Sequence, residues 1–276
     1  MWYILNMKLL KVPALYTILG ITLSLVIIFY LLVNIISTDE ENTFALRGCN
    51  VAGISLQGDL VTYATNGSGV GPESFSSSED ITYLLELAEE TPNIKAILLE
   101  IDSYGGSPVA AAEIVDTVKK FMTKPVIVQI REAGLSGAYW VASTADYIIA
   151  SELSDIGGIG VTQSYVDEDK YNKREGFTYN SLSRGEFKDM LDPQKALTYK
   201  EKLLLQRDLD IVYEVFVAEV ANSRNLSSEK VLELADGSSM LGDLALEKGL
   251  IDEVGGYYEV IDYITSKING EAIVCW

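Results

Sequence analysis

Residues 96–108 read Ala-Ile-Leu-Leu-Glu-Ile-Asp-Ser-Tyr-Gly-Gly-Ser-Pro. The first six are a short, almost continuous apolar run, which suits a parallel strand buried on both faces. Gly105 and Gly106 then allow φ > 0 and close approach of the backbone to a neighbour. Ser107 followed by Pro108 is a helix start, serine as the cap and proline at the first position. From there Val109, Ile114, Val115, Val118 and Phe121 recur at near-helical spacing.

The same alternation extends outward. Upstream, Asn50–Leu56 alternates weakly, as a strand does, and residues 57–77, rich in Gly, Ser and Thr, read as loop. Ser78 is placed to cap a helix to about Glu90, with Leu84, Leu85, Leu87 and Ala88 on its apolar side and Pro92 stopping it. Downstream, Pro125 introduces a strand at Val126–Ile130, then Glu132-Ala-Gly-Leu-Ser-Gly-Ala138, a helix over about 137–144 and a strand at Tyr147–Ala150. Strand, turn, helix, strand is the βαβ pattern of an α/β fold with a mainly parallel sheet. A long helix is expected over about 198–222, a short one near Ser228–Leu234, and another at Leu241–Lys248 that Gly249 ends.

Ahead of this part, Val12 to Ile36 carries no charge and is almost wholly apolar. At helical rise that length crosses a hydrocarbon core of ~30 Å with some tilt. Lys8 and Lys11 precede it and Asp39, Glu40 and Glu41 follow, which places the N-terminus in the cytoplasm and the remainder outside. A cleaved signal peptide is the competing reading, but its apolar core is shorter and ends in a small-x-small site, which Asn34-Ile-Ile-Ser-Thr-Asp39 lacks. The expected organisation is a cytoplasmic N-terminus (1–11), one transmembrane anchor (12–36), a linker (37–48) and one extracytoplasmic domain (49–276).

The net charge of −19 argues against nucleic acid, whose binding needs Lys and Arg on phosphates, and against charge-driven docking on anionic lipid. Cys49 and Cys275 are the two cysteines; they either form one disulfide in an oxidising compartment or remain as thiols. Histidine is absent and there is no CxxC, so zinc sites built on His or paired Cys are excluded, and no cofactor is expected.

The same absence shapes the chemistry. A Ser-His-Asp triad is impossible, so a serine hydrolase here would need Lys, Asp, Glu or Tyr as its base. Lysine qualifies in general, since burial disfavours an ammonium and a neutral amine can take a hydroxyl proton. Gly134-Leu-Ser136-Gly137-Ala138 lies between a strand and a helix, where a tight turn projects a serine hydroxyl and backbone N–H groups can hold an oxyanion. A serine at a helix start is, by default, only a cap. Likewise the Gly105-Gly106 pair can be an ordinary turn, and Lys188 in Arg184-Gly-Glu-Phe-Lys-Asp189 a solvated surface residue.

What selects among these readings is order. Asp102-Ser-x-Gly-Gly106, Ser136-Gly-Ala-Tyr-Trp140, Gly157-Gly-Ile-Gly-Val161, Ser183-Arg-Gly-Glu-Phe-Lys188-Asp189 and Leu234-Ala-Asp-Gly237 with Ala245-Leu-Glu-Lys-Gly-Leu-Ile-Asp252 follow one another along the chain. As a set they resemble the signal peptide peptidase A family, in its short single-domain form with an N-terminal anchor, over about residues 50–260. The resemblance implies a Clp protease/crotonase-like fold, with Ser136 as nucleophile, Lys188 as general base and the N–H groups of Gly106 and Gly137 as oxyanion hole. The interval between the dyad residues is 188 − 136 = 52, of the kind the short forms show. It further implies peptide substrates such as signal-peptide remnants, and a ring- or dome-shaped homo-oligomer.

Three positions depart from the family pattern: Tyr104 stands where proline is usual, Leu135 where a small residue is usual, and Gly158 where a serine helps to position the lysine. Loss of that serine removes a hydroxyl partner for the base, and either lowers activity or leaves its place to Ser154 or Thr162. Two rival functions remain in view. One is a membrane-anchored ring that binds peptides with weak or no catalysis; the other is an acyl-CoA enzyme of the same fold type, which the acidic charge and exported topology disfavour.

Overall fold

The computed structural model describes Tyr16 and residues 19–30, 48–63 and 75–276. Cys49–Trp276 is one compact unit. Ahead of it, residues 19–30 are helical; the rest of the expected span over 12–36, apart from Tyr16, lies outside the described residues, as do residues 1–11 and 37–47. Among the described residues no helix is long and apolar enough to cross a membrane.

The compact unit begins with β1 (Val51–Val61), β2 (Phe75–Ser77), α1 (Ser78–Glu90), β3 (Ala96–Gly106), α2 (Pro108–Phe121), β4 (Val126–Leu135), α3 (Gly137–Ser143), β5 (Tyr147–Ala150) and β6 (Asp155–Gly157). It continues with α4 (Asp169–Arg174), α5 (Tyr199–Ser223), α6 (Ser228–Leu234), β7 (Ser239–Leu241), α7 (Gly242–Lys248), β8 (Glu253–Val254), α8 (Tyr257–Ile268) and β9 (Val274–Cys275). The sheet runs β2-β1-β3-β4-β5-β8, with β9 beside β1. β4 is shared: its first half pairs with β5 and its second half with β6. Every pairing is parallel except β6 with β7, so the α/β reading with a mainly parallel sheet is met.

The apolar runs are continuous because both faces are covered. Val51, Ala96, Leu98, Ile127 and Ile149 pack against Val260 and Ile264 of α8. The alternate positions Ala52, Ile97, Leu99 and Val128 are equally buried and point to the other face, where α1, α2 and α3 stack in sequence. Ser107 caps α2 as expected, accepting the Ala110 N–H at 3.3 Å.

Two expectations are corrected. β1 runs on to Val61, through part of the stretch expected to be loop, and β2 occupies Phe75–Ser77; residues 64–74 lie outside the described residues. Ser77, not Ser78, caps α1 by accepting the Asp80 N–H at 3.0 Å. Ser78 is buried instead, donating to Glu113 Oε2 at 2.5 Å and to the Thr62 carbonyl at 3.2 Å. The open question of the cysteines is resolved as a disulfide: Cys49 and Cys275, with Cα atoms 5.8 Å apart, tie the start of β1 to β9.

Candidate active site

β4 ends at Leu135 and α3 begins at Gly137, so Ser136 must turn the chain in one residue. It does so with φ 51° and ψ −126°, a left-handed conformation that a non-glycine residue adopts at a cost of order 1–3 kcal/mol. The turn is held from both sides: the Ser136 N–H donates to the Gly157 carbonyl and its own carbonyl accepts from Trp140 N–H, both at 2.9 Å. The hydroxyl makes no capping bond to the helix. The ordinary role of a serine at a helix start is therefore not the role it has here. Below it α3 is buried along its whole length, and the Tyr139 hydroxyl donates to the Leu250 carbonyl at 2.9 Å in an interior that raises the phenol's pKa through desolvation.

The glycine turn at the end of β3 packs directly on this elbow. Gly105 and Gly106 have φ of 106° and 150°. A Cβ placed on Gly105 would lie 2.8 Å from Ser136 Cβ and 3.0 Å from Gly137 N; one on Gly106 would lie 2.3 Å from the Leu60 carbonyl oxygen. No side chain fits at either position, which is the reason for the pair. A Cβ on Gly137 would sit 3.6 Å from Gly106 N, so the two expected oxyanion N–H groups are neighbours. Gly137 is the first residue of its helix and its N–H has no partner within it. Ser103, buried, fixes the turn: its hydroxyl donates to the Gly58 carbonyl at 2.6 Å and accepts from Gly105 N–H at 3.0 Å. Asp102, conspicuous in the sequence, accepts from Ala133 N–H at 3.3 Å and so joins β3 to β4.

Ser136, Gly106 and Gly137 line one cavity of about 1040 Å³ together with Tyr104, Leu135 and Gly158. Its other wall is α5, through Leu209, Val212, Tyr213 and Phe216. Phe216 stacks on Trp140, ring centroids 5.0 Å apart and 14° from parallel, and the Tyr213 hydroxyl donates to the Ala235 carbonyl at 2.8 Å. The floor is thus aromatic and aliphatic, in the manner of a site for an apolar side chain. The periodicity of α5 gave no warning of this wall, because most of its apolar positions are exposed or only half-buried and only Phe216, Val217, Val220 and Ala221 are buried apolar ones.

Lys188 is exposed, in a run of turns between α4 and α5, and is not among the residues that line the cavity. Other lysines nearby are in ion pairs: Lys173 with Asp169, Lys200 with Glu186, and Lys195 with both Asp189 and Glu201. Glu201 raises the pKa of the Lys195 ammonium, which makes Lys195 a poor base. Lys188 has no ion-pair partner among the described residues. Of the two expected helpers, Ser154 is committed elsewhere: buried, it donates to the carbonyls of Arg131 and Ile130 and accepts from Ser151 N–H. Thr162 does line the cavity.

Comparison with known proteins gives a single answer. Residues 119–269 match the model of peptidase family S49. A candidate protease of Methanocaldococcus jannaschii is 31% identical over 254 residues, 89% of this chain and 82% of that one. A candidate signal peptide peptidase SppA of Enterococcus faecium is 31% identical over 71% of this chain and 57% of its own. The chloroplastic serine protease SPPA of Arabidopsis thaliana is 30% identical over 72% of this chain but only 30% of its own length.

Proposed function

This chain belongs to peptidase family S49, and on that premise we propose that it is a membrane-anchored serine endopeptidase using Ser136 as nucleophile and Lys188 as general base. The observation that carries the reading is the strained Ser136 elbow, its hydroxyl free of any cap, packed on the Gly105–Gly106 turn. In the reaction the neutral Lys188 amine takes the Ser136 hydroxyl proton as Oγ attacks the scissile carbonyl carbon. The N–H groups of Gly106 and Gly137 hold the oxyanion. On collapse the C–N bond breaks, the Lys188 ammonium protonates the leaving amine, and an acyl-enzyme remains. Lys188 then deprotonates water, which attacks the ester and releases the new carboxylate and Ser136.

The apolar cavity supports extended, apolar peptides as substrates, including signal-peptide remnants. Residues 19–30 support the anchor: they carry no charge, and Leu19, Ile21, Leu23, Val26, Ile27 and Phe29 are exposed around the helix, as in a helix whose solvent is lipid. The disulfide supports an extracytoplasmic location for residues 49–276. Lys188 is exposed and away from the cavity, and Val166, Phe177, Leu182, Leu203, Ile211 and Val215 are exposed with it. This favours a homo-oligomer in which the turn bearing Lys188 meets Ser136 of a neighbouring copy.

The test is covalent labelling of the full chain in detergent by a fluorophosphonate. Wild type labels; Ser136→Ala and Lys188→Met do not, and mixing Ser136→Ala with Lys188→Met subunits restores peptidase activity if the dyad forms between copies. Peptidase activity undiminished in Ser136→Ala refutes the nucleophile. A wild-type chain that binds apolar peptides but never labels is instead a non-catalytic peptide-binding ring, the reading that the departures at Leu135 and Gly158 motivate.

A further inference from the structure

Between Ile159 and Phe216 no apolar residue is buried. Hydrophobic packing, which fixes the rest of the fold, does not fix the stretch that carries Lys188. Something else must hold it, and the one buried residue in that stretch is a charged one, Glu201, 2% exposed.

Glu201 lies in the first turn of α5 and divides its carboxylate between two tasks. Oε2 accepts from Thr198 N–H at 2.7 Å and from the Thr198 hydroxyl at 2.8 Å, which closes the helix cap. Oε1 accepts from Lys195 Nζ at 2.5 Å. The same ammonium lies 3.1 Å from Asp189 Oδ1, and Asp189 is the residue after Lys188. Successive turns between them leave little slack: Lys188 N–H donates to the Gly185 carbonyl at 3.2 Å, Asp192 N–H to Asp189 at 3.2 Å and Lys195 N–H to Asp192 at 3.3 Å. At its other end α5 presents Val212 and Phe216 to the Ser136 cavity. One helix is therefore bonded to the lysine turn at its start and walls the serine cavity of its own copy near its finish.

We propose that Asp189, Lys195 and Glu201 are positioning residues, a carboxylate–ammonium–carboxylate bridge that holds the Lys188 turn on the N-terminus of α5 and so sets where the Lys188 amine is presented; this rests on the Ser136–Lys188 reading. The bridge acts through Lys188 and touches neither substrate nor Ser136. The ionisation of its members agrees with the geometry: Lys195 lowers the pKa values of Asp189 and Glu201, and Glu201 foremost raises that of Lys195, so all three are charged at neutral pH. A guanidinium can span two carboxylates as an ammonium does, and does so with more donors.

The experiment measures kcat and KM for an apolar peptide, and melting temperature, for the full chain as Lys195→Met, Lys195→Arg and Lys188→Met. Misplacing a catalytic group by about 1 Å costs on the order of 100-fold, so Lys195→Met should lose about 10- to 100-fold in kcat with KM within about threefold. Lys195→Arg should return to within about fivefold of wild type. A purely structural role would lower the melting temperature of Lys195→Met without this kcat-selective loss below the melting range. Where Lys195→Met fails to fold, Glu201→Gln retains an acceptor oxygen for Thr198, loses the charge facing Lys195, and should show the same split. Wild-type kcat in Lys195→Met, or equal loss in the Met and Arg variants, overturns the bridge. Failure of the underlying reading looks different: Lys188→Met would keep its activity, and a loss in Lys195→Met would then belong to a role of its own, which also overturns the inference.

Discussion

Replacing Gly105 with alanine should disable the site far beyond its effect on stability. The glycine has φ 106°, and its added Cβ would stand 2.8 Å from Ser136 Cβ and 3.0 Å from Gly137 N and the Leu135 carbonyl oxygen. An alanine in that backbone region costs about 2–3 kcal/mol. For a unit of this size the melting temperature should fall by about 4–12 °C. The contact adds a second, local effect. To reach ordinary van der Waals separation, near 3.4 Å, the elbow must retreat by roughly 0.6 Å, carrying Oγ and the Gly137 N–H with it. Against a loss on the order of 100-fold for 1 Å, fluorophosphonate labelling should slow by about 10- to 100-fold. Gly249→Ala is the control, because Gly249 has φ 82° and its nearest neighbour to a Cβ is 3.4 Å away, on Leu226 and remote from the cavity. It should lose about 1–2 kcal/mol and label at the wild-type rate. A Gly105→Ala protein that labels as fast as the control would refute the claim that this turn supports the nucleophile.

Two further outcomes are expected. Phe216→Ala removes the partner that stacks on Trp140 and opens the cavity floor, so urea unfolding should show a loss of about 3–5 kcal/mol and KM should rise more for peptides with large apolar side chains than for small ones. The bridge at Glu201 makes a pH-dependent contribution, read as the difference in melting temperature between wild type and Lys195→Met. Asp189 and Glu201 titrate below their ordinary values of 3.8 and 4.5, and Lys195 above 10.5. Depressed carboxylates stabilise fully above their unfolded values and lose that effect as pH falls through the folded ones; the raised ammonium stabilises fully below 10.5. The difference should hold from about pH 5 to 10 and shrink below about pH 4; a difference that grows on acidification would contradict the assignment.

The central fold was legible because its strands are buried on both faces and its turns use residues with one physical purpose. Ala96–Ile101 could be little else, and the Gly105–Gly106 pair, Ser107 and Pro108 mark a boundary that the structure keeps. The strands that escaped notice, β2 and β6 to β9, have two or three residues each, too few for a period to register. α8 went unread although Val260 and Ile264 are buried and Ile268 continues their four-residue spacing onto the same core, so its signal was present in the sequence. At the site, the Ser136 elbow was readable from glycines flanking a serine between a strand and a helix. The bridge was not. Lys195 and Glu201 sit among many charged residues, and only the burial of Glu201, a property of the folded chain, distinguishes them.

The departures at Leu135 and Gly158 are neighbours in the fold. Gly158 has φ 57°, and a Cβ there would lie 3.3 Å from Ser136 N and 3.4 Å from both Cβ and Cδ2 of Leu135. The leucine side chain would thus touch a side chain at 158 at ordinary van der Waals distance, so the two departures sit side by side against the Ser136 turn. A serine introduced at 158 would have to adopt the left-handed region, with its Cβ in close contact with the Ser136 turn, whose N–H is tied to Gly157 at 2.9 Å. Ser154 is bound to the carbonyls of β4, and the Tyr213 hydroxyl donates to Ala235. Apart from Ser136 itself, the hydroxyls left at the cavity are those of Thr162 and Tyr104. Thr162 begins the exposed stretch that leads to Lys188, so a Lys188 acting as the proposed base takes its orientation from the polar segment that Glu201 anchors, and not from the apolar core that holds the serine.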